Sequence, residues 1–153
     1  MDSIDRKILH LLQRDSTISV ERLSDAVGLS PSPCWRRVQR LEQAGVIRGR
    51  VALLDPDRMG VGTTVFVSVR TTRHDMAWSE RFCRAVADIP EVIEFYRMSG
   101  QFDYLVKLVV PDIPAYDRVY KRLISIAELS DVSGSFAMER IKYTTALPVD
   151  YAP

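Results

Sequence analysis

Between positions 36 and 50 the chain carries five arginines, Arg36, Arg37, Arg40, Arg48 and Arg50, against one acid, Glu42. Guanidinium groups at this density suit a polyanion. An arginine fork bonds a guanine edge in two places, for ~1–3 kcal/mol of discrimination. On phosphate it adds affinity and salt dependence without sequence information. If Cys34, Val38 and Leu41 turn inward as a helical stripe, then Trp35, Arg36, Gln39 and Arg40 fall on the outer side, with Arg37 near the boundary. Ser32 is expected to cap this helix and Pro33 to fill its first position, where a missing N–H costs nothing. Ser30, Ser32 and Pro33 thus stand at the entry, where hydroxyls and backbone N–H groups meet phosphate oxygens. Arg48 and Arg50 follow on a wing suited to phosphates. The alternatives are a solvated basic face, and a Trp35 that packs against the first helix or a partner subunit. Cys34 reads most simply as a buried small hydrophobe, with a redox role for it or Cys83 as the alternative.

A second set of residues lies in "SGQFDYL", residues 99–105. Gly100 permits the positive φ of a tight hairpin. Asp103 then opens an apolar strand, where an unpartnered carboxylate would be costly. Backbone N–H groups at a glycine turn can hold a carboxylate, and a nearby Asp103 can hold an ammonium. Together they suit the zwitterion of a free amino acid. The competing reading is a hairpin whose Asp103 bonds its own turn. No catalytic set accompanies either stretch. The two histidines, His10 on the first helix and His74 in a loop, form no Ser/His/Asp or Cys/His arrangement. The two cysteines give neither a disulfide framework nor a zinc spacing, so no metal or catalytic residue is expected.

These residues need elements to hold them. Ile4, Ile8, Leu11 and Leu12 recur at helical spacing, with Asp2 and Asp5 favouring the N-terminus and an end near Asp15. A second helix starts after Ser19 and stops at Gly28, with Leu23, Ala26 and Val27 inward. The arginine-bearing helix follows and ends at Gly45, completing a helix-turn-helix pattern. "VIRGRVALLD" (46–55) reads as a β wing or linker, and "PDRMGVG" (56–62) as a boundary. Beyond it Val65, Val67 and Val69 alternate as a strand, and Trp78, Phe82, Ala85, Val86 and Ile89 line a helix. Residues 91–98 and 102–110 make two strands, and Tyr116, Val119, Tyr120, Leu123 and Ala127 line another helix. A last strand runs from about Val132 to Thr144. The order βαββαβ is that of ferredoxin-like sheets.

Length and composition agree with this division. The chain has 153 residues and a formal net charge of +1. Residues 1–50 hold nine Lys/Arg against six Asp/Glu (9 − 6 = +3), and residues 51–153 hold twelve against fourteen (12 − 14 = −2). The basic part suggests a nucleic-acid partner. No apolar run approaches the ~18 residues of a membrane span, and no secretory signal pattern is present, so a cytoplasmic protein with no membrane association is expected.

Five stretches in order resemble one family over essentially the whole length: "DRKILHLLQRDSTIS", "LSPSPCWRRVQRLEQAGVI", "ALLDP", "SGQFDYLVKLVVPD" and "IKYTTALP". The sequence is similar to the Lrp/AsnC (feast/famine) transcriptional regulators. The resemblance implies an α+β architecture: a helix-turn-helix domain at 1–50, a linker strand and hinge at 51–61, and a ferredoxin-like RAM domain at 62–153. It also implies double-stranded DNA as partner, in the cytoplasm of a bacterium or archaeon. The other implied partner is a free amino acid bound between dimers. The homodimer would form through the linker strand and sheets, then assemble into octamers or larger. Carried over by position, the effector residues are Met98, Gly100, Gln101, Phe102, Asp103 and Tyr104, with Ser133, Gly134, Ser135 and Phe136 from the last strand. The small residues at 133–135 leave room for a ligand or ease subunit packing. "CWRRVQRLE", "VALLDPDRMGVG" and "FAMERIKYTTALP" look most like the DecR-type subgroup, associated with cysteine detoxification, which makes L-cysteine the first effector to test. A DNA-compacting protein without effector, and an enzyme like the siroheme decarboxylases of similar fold, are the other readings.

Overall fold

Among the described residues, apolar periodicity organises the chain into five α-helices and one four-stranded sheet. The computed structural model describes residues 1–73, 75–126 and 129–153, and the expectations for His74 and Ala127 lie outside them. Two compact units result: Met1–Ala52 together with Ile141–Pro153, and Leu53–Arg140.

In the first unit α1 spans Ser3–Leu12, α2 Val20–Val27 and α3 Pro31–Gln43. Asp2 and Asp5 close a reciprocal capping box on α1. Ser19 caps α2 through the Arg22 N–H. Gly28 and Gly45 end α2 and α3 with φ of +73° and +70°. In each case the next amide reaches back five residues, Leu29 N–H to the Ser24 carbonyl and Val46 N–H to that of Leu41. Ile8, Leu23, Val27, Cys34, Val38 and Leu41 form the core, each large aliphatic side chain contributing ~1.5–3 kcal/mol on burial.

The start of α3 differs from expectation. Its N-cap is Ser30, and Pro31 rather than Pro33 enters the first turn at its first position. Ser32 is therefore inside the helix, and the Cys34 N–H bonds the Ser30 carbonyl at 3.2 Å. The expected wing also forms no strand: residues 46–55 have no ladder partner among the described residues.

The second unit alternates β1 Thr63–Arg70, α4 Met76–Ala87, β2 Val92–Arg97, β3 Tyr104–Val110, α5 Ile113–Ile126 and β4 Asp131–Phe136. The sheet order is β2-β3-β1-β4, with every pairing antiparallel. Val65, Val67 and Val69 of β1 and Tyr104, Val106, Leu108 and Val110 of β3 meet Trp78, Phe82 and Val86 of α4 and Val119 and Leu123 of α5 in one core. The last strand stops eight residues short of Thr144. Phe136 pairs with Val65 and the Ala137 N–H reaches the Thr64 carbonyl, after which β1 has run out. Residues 137–147 belong to no strand among the described residues. A short 3-10 turn, Val149–Tyr151, then lies against α1 in the first unit.

Candidate nucleic-acid interface and ligand turn

Helix α3 presents its polar side as the stripe of Cys34, Val38 and Leu41 requires. Trp35 is 49% exposed, and Arg36 is exposed with no side-chain partner among the described residues. At the entry the prolines have an electrostatic consequence. An N-cap hydroxyl normally accepts from the N–H at the second or third helical position. Pro33 fills the third and has no N–H, and Ser30 makes no side-chain cap bond. Pro31 removes another donor, leaving the Ser32 N–H with the Ser30 and Ser32 hydroxyls at the positive end of the helix dipole. Pro33 itself is half-buried.

The remaining arginines are not equivalent. Arg37 Nη1 donates to Asp2 Oδ2 at 2.6 Å and to Asp5 Oδ1 at 2.8 Å. Arg40 Nη2 donates to Asp5 Oδ2 at 2.7 Å. The Asp5 N–H and Arg37 hold the Asp2 carboxyl below its usual value, while Asp2 and Asp5 raise the Arg37 guanidinium. Arg37 is thus a tie between α1 and α3. Its Asp5 arm is part-buried and its Asp2 arm exposed. Glu42 accepts from both Gln39 Nε2 at 3.1 Å and Arg50 Nη2 at 2.9 Å. Arg48 is exposed and unpaired among the described residues. Asp2, Asp5 and Glu42 were absent from the expected site. Their signal was an acid within one or two turns of an arginine on the folded face, which primary order conceals for the α1–α3 pairs.

At the ligand turn, Gly100 takes φ of +116°. The Met98 N–H bonds the Asp103 carbonyl at 2.8 Å, and the Asp103 N–H bonds that of Val69 at 2.9 Å. Asp103 Oδ2 accepts the backbone N–H of buried Thr71 at 2.9 Å. Arg70 Nε donates to the Gln101 carbonyl at 2.6 Å. One carboxylate oxygen of Asp103 therefore pins the end of β1, and Oδ1 has no partner among the described residues. Met98 and Gln101 are exposed and Phe102 half-buried.

Tyr104 departs from the expected set. Its ring is 4% exposed, packs 5.1 Å from Phe82 and 5.6 Å from Phe95, and its hydroxyl lies 2.9 Å from Ser79 Oγ. It belongs to the core, because it lies on the same face of β3 as Val106 and Leu108. Gly134 also has a different use. A Cβ there would stand 2.0 Å from the Tyr116 hydroxyl oxygen, so the space beside this glycine is filled by Tyr116. Tyr116 packs edge-on to Phe136 at 5.1 Å, and burial raises its phenol pKa. Ser133, Ser135 and Phe136 remain on the exposed side of the range.

Within one chain the two stretches do not close on each other. Val69 pairs with Tyr104 on one side and Val132 on the other, so β1 separates them by ~10 Å. Ser133 to Phe136 then run toward the start of β1 and away from the turn. Three open clefts of about 440, 720 and 910 Å³ are lined by none of the ten effector candidates. No described helix is long and apolar enough to cross a membrane. Among the described residues no cluster of His, Cys, Asp or Glu suits a metal.

Comparison with known proteins bears on both sites. Residues 1–42 match an AsnC-type helix-turn-helix domain, and residues 64–147 match an Lrp/AsnC ligand binding domain. The chain is 51% identical to the DNA-binding transcriptional activator DecR of Escherichia coli strain K12, covering 98% of this chain and 99% of that one. It is 50% identical to a glutamate uptake regulatory protein of Zymomonas mobilis, over 97% and 91%. A crystal structure of an AsnC family transcriptional regulator from Agrobacterium tumefaciens superposes with a TM-score of 0.97 at 59% identity, covering both chains fully. A transcriptional regulator from Neisseria meningitidis in complex with L-Met does so with 0.93 at 36% identity, over 98% and 97%.

Proposed function

This chain belongs to the Lrp/AsnC family of DNA-binding transcriptional regulators with an amino-acid ligand-binding domain, and from that premise we propose how it reads DNA and what it senses. The observation that carries the first reading is the exposed Arg36 beside Trp35 on α3, unpaired among the described residues. These two residues and Arg40 face the major groove. Ser30, Ser32, the helix start at Pro31–Pro33 and Arg48 meet phosphates, and Gln39 and Arg50 do so by exchanging Glu42 for DNA. Arg37 holds the helix in place. Residues 1–50 form the reader, 51–61 the linker, and 62–153 the sensing and assembly region, whose last residues return to α1. The protein works on DNA in the cytoplasm of a bacterial or archaeal cell.

Its effector is a free amino acid, with L-cysteine first. The L-Met complex of the Neisseria relative supports an amino acid as the class, and the DecR-type stretches of this sequence support cysteine. The ligand sits at the 98–103 turn, where Oδ1 of Asp103, without a partner among the described residues, meets its ammonium. Because one chain leaves the turn and β4 apart, a second dimer completes the site. The ligand acts by favouring one assembly or conformation over another.

A thermal-shift screen of the free amino acids with the full chain tests this. L-Cysteine is expected to raise the melting temperature, and Asp103→Asn, which keeps an acceptor for Thr71, to abolish that rise. A rise with another amino acid alone would overturn cysteine, and no rise with any would overturn the sensing reading.

A further inference from the structure

Asp5 lies in the first turn of α1 with its side chain only 3% exposed, yet both of its carboxylate oxygens serve α3. Oδ1 takes Arg37 at 2.8 Å and Oδ2 takes Arg40 at 2.7 Å. The two arginines differ in what else they do. Arg37 has a second carboxylate in Asp2, and its side chain is 26% exposed. Arg40 has Asp5 as its partner among the described residues and is 62% exposed. One Nη of Arg40 is occupied, and the rest of its planar fork faces outward from the helix.

A free arginine on a helix surface samples many rotamers, and a ligand that immobilises it must overcome that side-chain entropy. A carboxylate fixed in the fold removes part of that cost before the ligand arrives. Asp5 is well placed for this: its capping box with Asp2 anchors it to α1, and the α1–α3 contact is backed by Ile8, Val38 and Leu41. We propose that Asp5 is a positioning residue for DNA reading, a buried carboxylate that aims the free edge of Arg40 while touching no DNA itself. The inference rests on the reading of the α3 face given above.

Charge alone predicts the opposite sign. Asp5 is an acid beneath a basic surface, so removing it strengthens attraction to any duplex. Positioning predicts weaker binding to the preferred sequence only.

The test uses the full chain as wild type, Asp5→Asn, Arg40→Ala and the double variant. Each is titrated by fluorescence anisotropy against a duplex that the wild type enriches from a random pool, and against a shuffled duplex of equal length. Asp5→Asn is expected to lower affinity for the enriched duplex roughly tenfold, to leave or tighten binding to the shuffled one, and to add no further loss when Arg40 is already alanine. Equal losses on both duplexes, or the same loss in the Arg40→Ala background, would mean that Asp5 acts through the fold alone and would overturn the proposal. If Arg40→Ala itself keeps the full sequence preference, the placing of Arg40 on DNA fails and the proposal fails with it. If Arg40→Ala loses preference and Asp5→Asn does not, only the positioning role fails. Should the amide variant lose helical circular dichroism, Asp5→Glu keeps a charge under Arg37 while displacing Arg40. A native melting temperature with reduced preference then supports the proposal, and unchanged preference overturns it.

Discussion

Arg36 and Arg37 are neighbours in sequence with opposite fates, and the difference is a matter of helix angle. A step of one residue turns the side chain by ~100°, enough to carry one guanidinium into solvent and the other against α1. One of the carboxylates that hold Arg37, that of Asp2, makes the first turn of α1 sensitive to acid. Asp2 is held below its usual pKa first by the Asp5 N–H and then by Arg37. A group whose folded pKa is lowered stabilises the fold fully above its unfolded value, and that contribution is lost as pH falls through the folded value. Asparagine still caps a helix well, so Asp2→Asn isolates the charge. The melting temperature of the variant is expected to lie below that of the wild type at neutral pH and to converge with it below the ordinary carboxylate range. A gap that persists unchanged into acid would show that the charge contributes nothing. Gly134 makes a related point: a residue small enough to suggest a ligand pocket is small because the Tyr116 hydroxyl occupies its side-chain space.

Elements were legible wherever one face is buried. The stripes Ile4/Ile8/Leu12, Leu23/Val27, Cys34/Val38/Leu41 and Val65/Val67/Val69 carry the period of their element, whereas Ala26, expected inward on α2, is exposed and Ser24 is buried in its stead. What stayed hidden was the choice between equivalent local signals and the pairing of distant ones. "SPSP" contains two serine-proline steps, either of which starts a helix, and only the folded chain selects the first. The alternation after Val132 suits a strand, but a strand needs a neighbour, and β1 ends at Thr63. The Asp5–Arg37 tie joins residues 32 positions apart, and its one trace in the sequence is an acid beside Ile4 and Ile8. A further tie of this kind lies at the end of the chain. The Gln13 amide donates to the Leu147 carbonyl and accepts its N–H, both at 2.8 Å, imitating a strand partner for the tail. Gln13→Ala is expected to speed hydrogen exchange at the Leu147 amide and to cost about 1 kcal/mol of stability for the two bonds. Unchanged exchange would show that the tail is held by other contacts.

At the scale of the molecule, the sequence divides its charge and its apolar surface unequally. The net +3 of residues 1–50 sits on the reader, and the acidic remainder lowers non-specific attraction elsewhere. The apolar surface left uncovered is concentrated in the two stretches that a single chain does not fold into strands. Leu53 and Leu54 are 63% and 69% exposed, and Met138, Ile141 and Leu147 are 97%, 90% and 75% exposed. Alternating exposed apolar side chains on a segment outside the sheet are a template for another chain, and large exposed apolar patches mark interfaces. A second copy would supply that cover, in line with the self-association proposed for the site between dimers. Light scattering on the full chain is expected to give at least a dimer at micromolar concentration, and Leu54→Asp with Ile141→Asp to shift it toward the monomer while α1, α2 and α3 keep their helical signal. The backbone amides of 138–146 should exchange slowly in the assembled wild type and rapidly in that variant. A wild-type chain that stays monomeric, or fast exchange along 138–146 in a stable dimer, would place the interface elsewhere and leave these two stretches without the partner their pattern calls for.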